Sequence, residues 1–140
     1  MTTKSATDLI YTAANAARIL GKRFSNLTIQ VWFNCVYVWA KGQFSRFVSK
    51  TAFKQMFVEF RKAGAKTLTV TANLFVPNTY TVRNEAKNST YQVLTTGNAV
   101  TCECEDYNAQ VQAFKKGVCK HGYAVLNHLG YNSLADYVRA

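Results

Sequence analysis

Acidic residues are scarce in this 140-residue chain, and its apolar runs are short. Seven residues are Asp or Glu and seventeen are Lys or Arg, which gives a net charge of +10 at pH 7. No apolar run reaches the roughly 18–20 residues that a membrane-spanning helix needs. The N-terminus also lacks the basic start and apolar block of a secretory signal. We therefore expect a protein with no membrane partner that works inside the cell, where thiols stay reduced.

Proline occurs once, and the chain contains no Gly/Ser-rich linker and no internal repeat. Because 49% of the residues are hydrophobic and 14% are aromatic, the chain can bury a core and is not disordered as a whole. The positive charge falls away near Pro77, which marks a turn or a sheet edge. We expect an α+β fold with lobes over 1–76 and 77–140, or one continuous domain.

Hydrophobic spacing predicts the elements of the first lobe as helix, strands, helix, strand. Apolar residues at helical spacing predict one helix over 6–21 and a second over 50–63, with Gly64 just past its end. The β-branched and aromatic run over 27–40 predicts either two short strands or one long bent strand. Strict alternation over 66–72 predicts a half-buried strand.

The positive charge is concentrated in the first half of the chain. Residues 1–66 contain eleven basic residues and two acidic ones, Asp8 and Glu59. Such a distribution is typical of a protein with a polyanionic partner, and nucleic acid is the partner we expect; the alternative is a solubilising surface. Trp32, Tyr37 and Trp39 either stack on bases or belong to the core. The candidate phosphate contacts are Arg18, Lys22, Arg23, Lys41, Arg46, Lys50 and Lys54.

Two tight pairs of potential metal ligands lie in the second half. Cys102 and Cys104 form a C-x-C pair, and Cys119 and His121 form a C-x-H pair fourteen residues further on. Side chains two apart in an extended chain point to the same side, so the first pair can bind one ion. Zinc is bound tetrahedrally by four such ligands, and a site closed by four protein ligands is structural. The alternative is two disulfides, which a reducing compartment disfavours.

The remaining cysteine and histidine lie outside this array. Cys35 belongs to an apolar run and is predicted to be a small buried hydrophobe. His128 lies two turns after His121, about 10 Å along a helix axis, and is predicted to be a surface or capping residue rather than a ligand. The acidic neighbours Glu103, Glu105 and Asp106 are predicted to lie in a solvated loop.

Residues 78–130 resemble the SWIM zinc finger. The likeness rests on two Tyr-x-Val strands, the C-x-C and C-x-H pairs, and the helix that carries Ala124-Val125-Leu126. The first Tyr-x-Val is Tyr80-Thr81-Val82 and the second is Tyr91-Gln92-Val93. The resemblance implies a ββα zinc fold that binds DNA or protein, with the ligand roles on the four residues named above. The fourteen-residue spacing is longer than is common in that family.

These observations predict a non-enzymatic protein with no small-molecule substrate. Catalytic zinc has three protein ligands and an open coordination position, whereas this sequence supplies four ligands. We expect Cys104→Ser or His121→Ala to unfold the C-terminal lobe. Two functions remain: a nucleic-acid-binding module, with DNA preferred to RNA, or an adaptor for a protein partner in a recombination, transposition or phage-related complex. An apolar patch on the final helices would favour the adaptor. Its candidate residues are Tyr123, Tyr131, Leu134 and Tyr137.

Overall fold

The computed structural model describes residues 5–24 and 26–140. Within these ranges the fold is α+β, as predicted, with six helices and two antiparallel sheets. The chain divides into two compact units, and the division falls between Phe60 and Arg61. None of the described helices combines the length and the apolarity that crossing a bilayer requires.

The first unit begins with two short helices instead of the single helix predicted over 6–21. They are α1 (Ala6–Leu9) and α2 (Ala13–Leu20). Thr12 caps α2 by accepting a hydrogen bond from the backbone N–H of Asn15, and the Asn15 side chain donates to the carbonyl of Ile10 at 2.9 Å. Because these side-chain bonds replace helical backbone bonds, the helix breaks between the two segments.

The apolar run over 27–40 forms two strands, which was one of the two predicted alternatives. They are β1 (Leu27–Val31) and β2 (Val36–Ala40), and with β3 (Phe44–Val48) they make a sheet in the order β1-β2-β3. Strand β2 buries Val36, Val38 and Ala40 on one face. Its intervening side chains therefore lie on the other face.

Helix α3 (Lys50–Ala65) starts as predicted but runs past Gly64. The Ser49 hydroxyl accepts a hydrogen bond from the N–H of Ala52 at 3.1 Å, which caps its first turn. Of the aromatic stripe that predicted this helix and its core face, Phe53 and Phe57 are buried as predicted. Phe60 is 47% exposed, so the prediction of a core position is wrong for that residue. Ala65 belongs to the buried core of the second unit, so the helix gains apolar burial by continuing to that residue.

The second unit contains a four-stranded antiparallel sheet in sequential order. Its strands are β4 (Thr69–Ala72), β5 (Thr79–Asn84), β6 (Ser89–Thr95) and β7 (Val100–Cys102). Strand β4 confirms the predicted strand over 66–72, and it pairs with β5 beyond the loop that contains Pro77. The division into lobes over 1–76 and 77–140, which was expected from the sequence, stays a prediction.

Three helices complete the second unit. They are α4 (Glu105–Phe114), α5 (Lys120–Leu129) and α6 (Leu134–Arg139). Side chains of the sheet and of α5 form one fully buried core, including Val82, Val93 and Leu126. A ββα finger has two strands and one helix, whereas this unit has a four-stranded sheet and the additional helix α4. The ββα finger therefore stays a prediction.

Candidate metal centre

The structure brings the four predicted metal ligands together. Cys102 ends strand β7, and Cys104 is the N-cap residue of α4. Cys119 is the N-cap residue of α5, and His121 lies in the first turn of that helix. The four side chains form one buried cluster that could hold a metal ion. The fourteen residues between Cys104 and Cys119 contain helix α4, so the chain leads away from the centre along this helix and then returns to it.

The spacing of the donor atoms suits tetrahedral coordination. All four donor atoms lie within 4.8 Å of one another. The Nδ1 of His121 is 3.8 Å from the Sγ of Cys102 and 3.7 Å from the Sγ of Cys119. Ordinary Zn–S and Zn–N bond lengths in a tetrahedron separate sulfur from nitrogen by about 3.6 Å. A metal ion of that size would fit with small movements of the side chains.

Two of the sulfur atoms also lie at helix N-termini. The Sγ of Cys104 accepts a hydrogen bond from the N–H of Tyr107, and the Sγ of Cys119 accepts one from the N–H of Gly122, each at 3.4 Å. Backbone donors and the positive end of the helix dipole both stabilise a thiolate. The helix starts thus favour the ionised form of sulfur that binds metals, although at Cys119 the neighbouring thiols outweigh this effect while no cation is bound.

The three thiols share protons with one another. Hydrogen bonds from Cys102 and Cys119 hold the pKa of Cys104 well below the usual thiol range. The same contact with Cys104 raises the pKa of Cys102 to about 11, and hydrogen bonds with Cys102 and Cys104 raise the pKa of Cys119. Because the three anions repel one another in a buried site, a cation is needed to ionise all of them together.

The two predicted Tyr-x-Val strands contact the two histidines of α5. The ring of Tyr91, on β6, lies 4.5 Å from the imidazole of His121, centroid to centroid, and helps to orient that ligand. The ring of Tyr80, on β5, lies 6.0 Å from His128. His128 is exposed and does not belong to the metal cluster. This confirms its prediction as a surface histidine.

Helix α4 supplies a contact that the sequence did not reveal. Glu105 and Asp106 were predicted to lie in a solvated loop, and this is wrong: both lie in the first turn of α4, and Asp106 pairs with Arg61. The guanidinium donates to both carboxylate oxygens, at 2.8 Å from Nε and 2.7 Å from Nη2. A bidentate pair of this kind fixes geometry as well as adding energy. It ties the last turns of α3 to the start of α4.

A buried glutamine connects α4 to the second ligand pair. Gln110 is 3% exposed, and its side chain donates to the carbonyl of Val118 and accepts from the N–H of Val118. A further bond joins the Gln110 amide to Asp106 at 3.0 Å. The apolar residues Tyr107, Val111 and Phe114, spaced as on one helix face, are the signal by which α4 could have been predicted.

The fourth cysteine lies apart from the centre. Cys35 is half-buried in the turn between β1 and β2, where its carbonyl accepts from the N–H of Trp32 at 2.8 Å. It was predicted to be a buried hydrophobe, but the turn leaves it half-open to solvent. All four cysteines are free thiols, so the alternative of two disulfides is not found.

The predicted phosphate contacts are spread over several parts of the first unit. Arg18, Lys22 and Arg23 line a groove of about 420 Å³ at the C-terminal end of α2. Lys41 lines a second groove, of about 380 Å³, together with Tyr37 and other residues of β2 and β3. These four residues thus lie beside concave surfaces; their contact with phosphate stays a prediction.

The other three predicted cations have different surroundings. Arg46 pairs with Val38 across the sheet and therefore projects from the face that carries Val38, not from the face of Tyr37. Lys50 donates to the carbonyl of Phe33 at 2.9 Å and so holds the β1–β2 turn. Lys54 is exposed on α3.

The aromatic residues of the first sheet lie on its outer face. Trp32 is 43% exposed and Phe47 is 53% exposed, and Tyr37 and Trp39 are half-buried. The ring centroids of Tyr37 and Trp39 are 5.0 Å apart, and the ring of Phe47 lies 5.0 Å from both Trp32 and Tyr37. Of the two predicted alternatives, the structure therefore favours an accessible aromatic surface over a core position. We call Trp32, Tyr37, Trp39 and Phe47 the aromatic face.

Comparison of the chain with models of known protein families, with curated proteins and with solved structures gives no match.

Proposed function

We propose that this chain is a small, non-enzymatic nucleic-acid-binding protein that takes DNA as its ligand and uses Zn²⁺ as a structural ion. The observation that carries the metal part is the buried cluster of Cys102, Cys104, Cys119 and His121. Three thiolates and an imidazole in a tetrahedron are a donor set that suits zinc. Four protein ligands leave no open position for a substrate. The thiols must stay reduced, so we place the protein inside the cell.

The charge of the first unit supports the nucleic-acid part. No acidic residue lies between Asp8 and Glu59, a stretch that includes all seven candidate phosphate contacts. Lys22, Arg23 and Lys41 are exposed, and within the described part of the chain no carboxylate pairs with them. Free surface cations can neutralise phosphates and release the counterions that these hold, which drives binding to nucleic acid.

The test is a fluorescence-anisotropy titration of the zinc-loaded protein with labelled DNA at several salt concentrations. We expect log affinity to fall linearly with log salt, by about 0.7–0.9 per neutralised phosphate. The double variant Lys22→Gln with Arg23→Gln should weaken binding and make this slope shallower. Lys66→Gln with Lys87→Gln is the matched control, because these exposed lysines belong to the second unit. Equal losses in both variants would count against an interface in the first unit.

A second candidate function, the protein adaptor, is favoured by an apolar groove in the second unit. The groove has a volume of about 490 Å³ and lies between α4 and α6, with Phe114, Leu134 and Val138 in its lining. Of the predicted patch, Leu134 lines this groove, whereas the tyrosines pack half-buried against the core. A zinc-loaded protein that fails to bind DNA at physiological salt would make the adaptor the better proposal.

A further inference from the structure

We propose that the aromatic face of the first sheet binds single-stranded nucleic acid by stacking bases on its rings. This inference rests on the proposed function and names the class of strand and the surface that receives it. Single-strand binders combine aromatic side chains, on which successive bases stack, with cations that follow the phosphates. Both components are present on the first unit.

The strand register arranges the rings as one continuous surface. Tyr37 pairs with Phe47 on one side and with Gln30 on the other. Since cross-strand partners project from the same side of a sheet, these residues share one face with Trp39, two positions along β2. Trp32 lies 5.9 Å from Tyr37, centroid to centroid, and extends the surface beyond the end of β1. The rings thus form a row long enough to meet more than one base.

The opposite face of the sheet already makes the core of the first unit. Val36, Val38 and Ala40 are almost completely buried there. The aromatic face is therefore the side of the sheet that points away from that core. Exposed Trp and Phe side chains next to one another form an apolar surface of the kind that marks a binding site.

The positive charge of the sheet indicates a polyanionic ligand, and its aromatic rings indicate a ligand with flat apolar faces. No acidic residue occurs in any of the three strands or their turns. Lys41 belongs to the groove that Tyr37 and Trp39 also line, so a cation lies beside the rings. In a duplex the flat faces of the bases are already stacked on each other, whereas a single strand exposes them. The ring surface therefore suits a single strand.

The experiment uses the protein's own fluorescence, because its two tryptophans are both on the aromatic face. We would titrate the zinc-loaded full chain with single-stranded oligo(dT) and with a duplex of equal length. Stacking of bases on Trp32 and Trp39 should quench the emission in a saturable way with the single strand. The duplex should produce little quenching at the same concentration.

Substitutions on the face test the energetics independently. Trp32→Thr and Phe47→Thr should each weaken binding of oligo(dT) by roughly 5- to 150-fold, the range expected for the loss of one stacked base. Threonine suits a strand surface, and circular dichroism would confirm that the variants fold. Phe75→Ala is the matched control, because this ring is 93% exposed but lies in the second unit. Its affinity should equal that of the unchanged protein.

The outcomes separate this inference from the proposed function. Salt-dependent DNA binding without quenching, and with unchanged affinity in both threonine variants, would overturn the inference and leave the proposed function in place. Absence of binding to the single strand and to the duplex would overturn both the inference and the proposed function. Threonine variants that change the oligomeric state without changing affinity would assign the face to a second copy of the chain, and so would also overturn it.

Discussion

The side chain of Gln110 and the backbone of Val118 are joined by two hydrogen bonds of 3.1 Å. Val118 directly precedes the metal-binding Cys119, and Gln110 also bonds to Asp106, the partner of Arg61. A chain of contacts thus runs from α3 through α4 to the second ligand pair. The position of Cys119 depends on α4, although α4 contributes no ligand beyond its N-cap residue.

Replacing Gln110 by Ala should destabilise the second unit and loosen its metal. The substitution leaves the buried N–H and the buried carbonyl of Val118 without these partners. Each unsatisfied group lowers the free energy of unfolding by about 1–3 kcal/mol. Urea denaturation of the zinc-loaded protein would measure the loss, and the rate of zinc transfer to a coloured chelator would measure the effect on the site. We expect a lower midpoint and faster release.

Gln112→Ala is the control for this variant. Gln112 lies on the same helix, but its side chain is exposed. Both variants lose the same chemical group, so the difference between them isolates the contacts of Gln110. Equal midpoints in the two variants would contradict the role assigned to the bonds with Val118.

Gly117→Ala should destabilise the protein for a steric reason. A Cβ atom at Gly117 would lie 2.6 Å from the Cβ of Gln110, which is too close for either residue to accommodate. Overpacking of this kind costs about 1–3 kcal/mol. Thermal denaturation of the zinc-loaded protein would show a lower melting temperature.

Gly64→Ala should have the opposite effect and serves as the comparison. Its Cβ would lie 3.5 Å from the Cδ of Lys120, an ordinary contact, within helix α3. Alanine in the middle of a helix is favoured over glycine by about 0.5–1 kcal/mol. Gly64 is the penultimate residue of α3, so we expect a gain at or below the lower end of that range. A melting temperature that falls as far in Gly64→Ala as in Gly117→Ala would show that the clash with Gln110 is not the cause.

Removal of the metal should unfold the second unit and leave the first unit folded. Structural zinc contributes about 10–16 kcal/mol of apparent binding free energy, which equals or exceeds the usual stability of a whole domain. Because Trp32 and Trp39 belong to the first unit, their emission reports on that unit. Amide hydrogen exchange after chelation should show lost protection in β5, β6 and α5, with tryptophan emission unchanged.

Substitutions of single ligands should reproduce the effect of chelation. We expect Cys104→Ser and His121→Ala to lose zinc and the same protection. The chain supplies matched controls in Cys35→Ser and His128→Ala, since neither residue belongs to the cluster. A His121→Ala protein that loses its zinc and yet keeps its full protection would show that the ion does not hold the second unit together.

The metal ligands could be predicted from the sequence because each pair is local. Cys102 and Cys104 lie two residues apart where a strand ends, and Cys119 and His121 lie two residues apart where a helix begins. Backbone geometry alone directs each pair to one side of its element. Only the tertiary fold brings the two pairs into one cluster. That they do so could be predicted because zinc is bound by four ligands of these types.

The contacts that support the centre could not be predicted in this way. Arg61 and Asp106 are 45 residues apart, and nothing in their neighbourhoods marks them as partners. The break between α1 and α2 likewise depends on the side chain of Asn15 reaching back to the carbonyl of Ile10. Such contacts join side chains to particular distant groups, and hydrophobic spacing contains no information about them.

The sequence by itself determined the strands, most of the helices, the ligand set and the basic character of the first half. The tertiary structure alone decided which side of the first sheet is open. Strand β2 reads Val-Tyr-Val-Trp-Ala and is apolar on both sides, so alternation predicts a strand without telling the inner face from the outer. Packing against the rest of the first unit buries Val36 and Val38, because small branched side chains fill that core closely, and leaves Tyr37 and Trp39 on the accessible face.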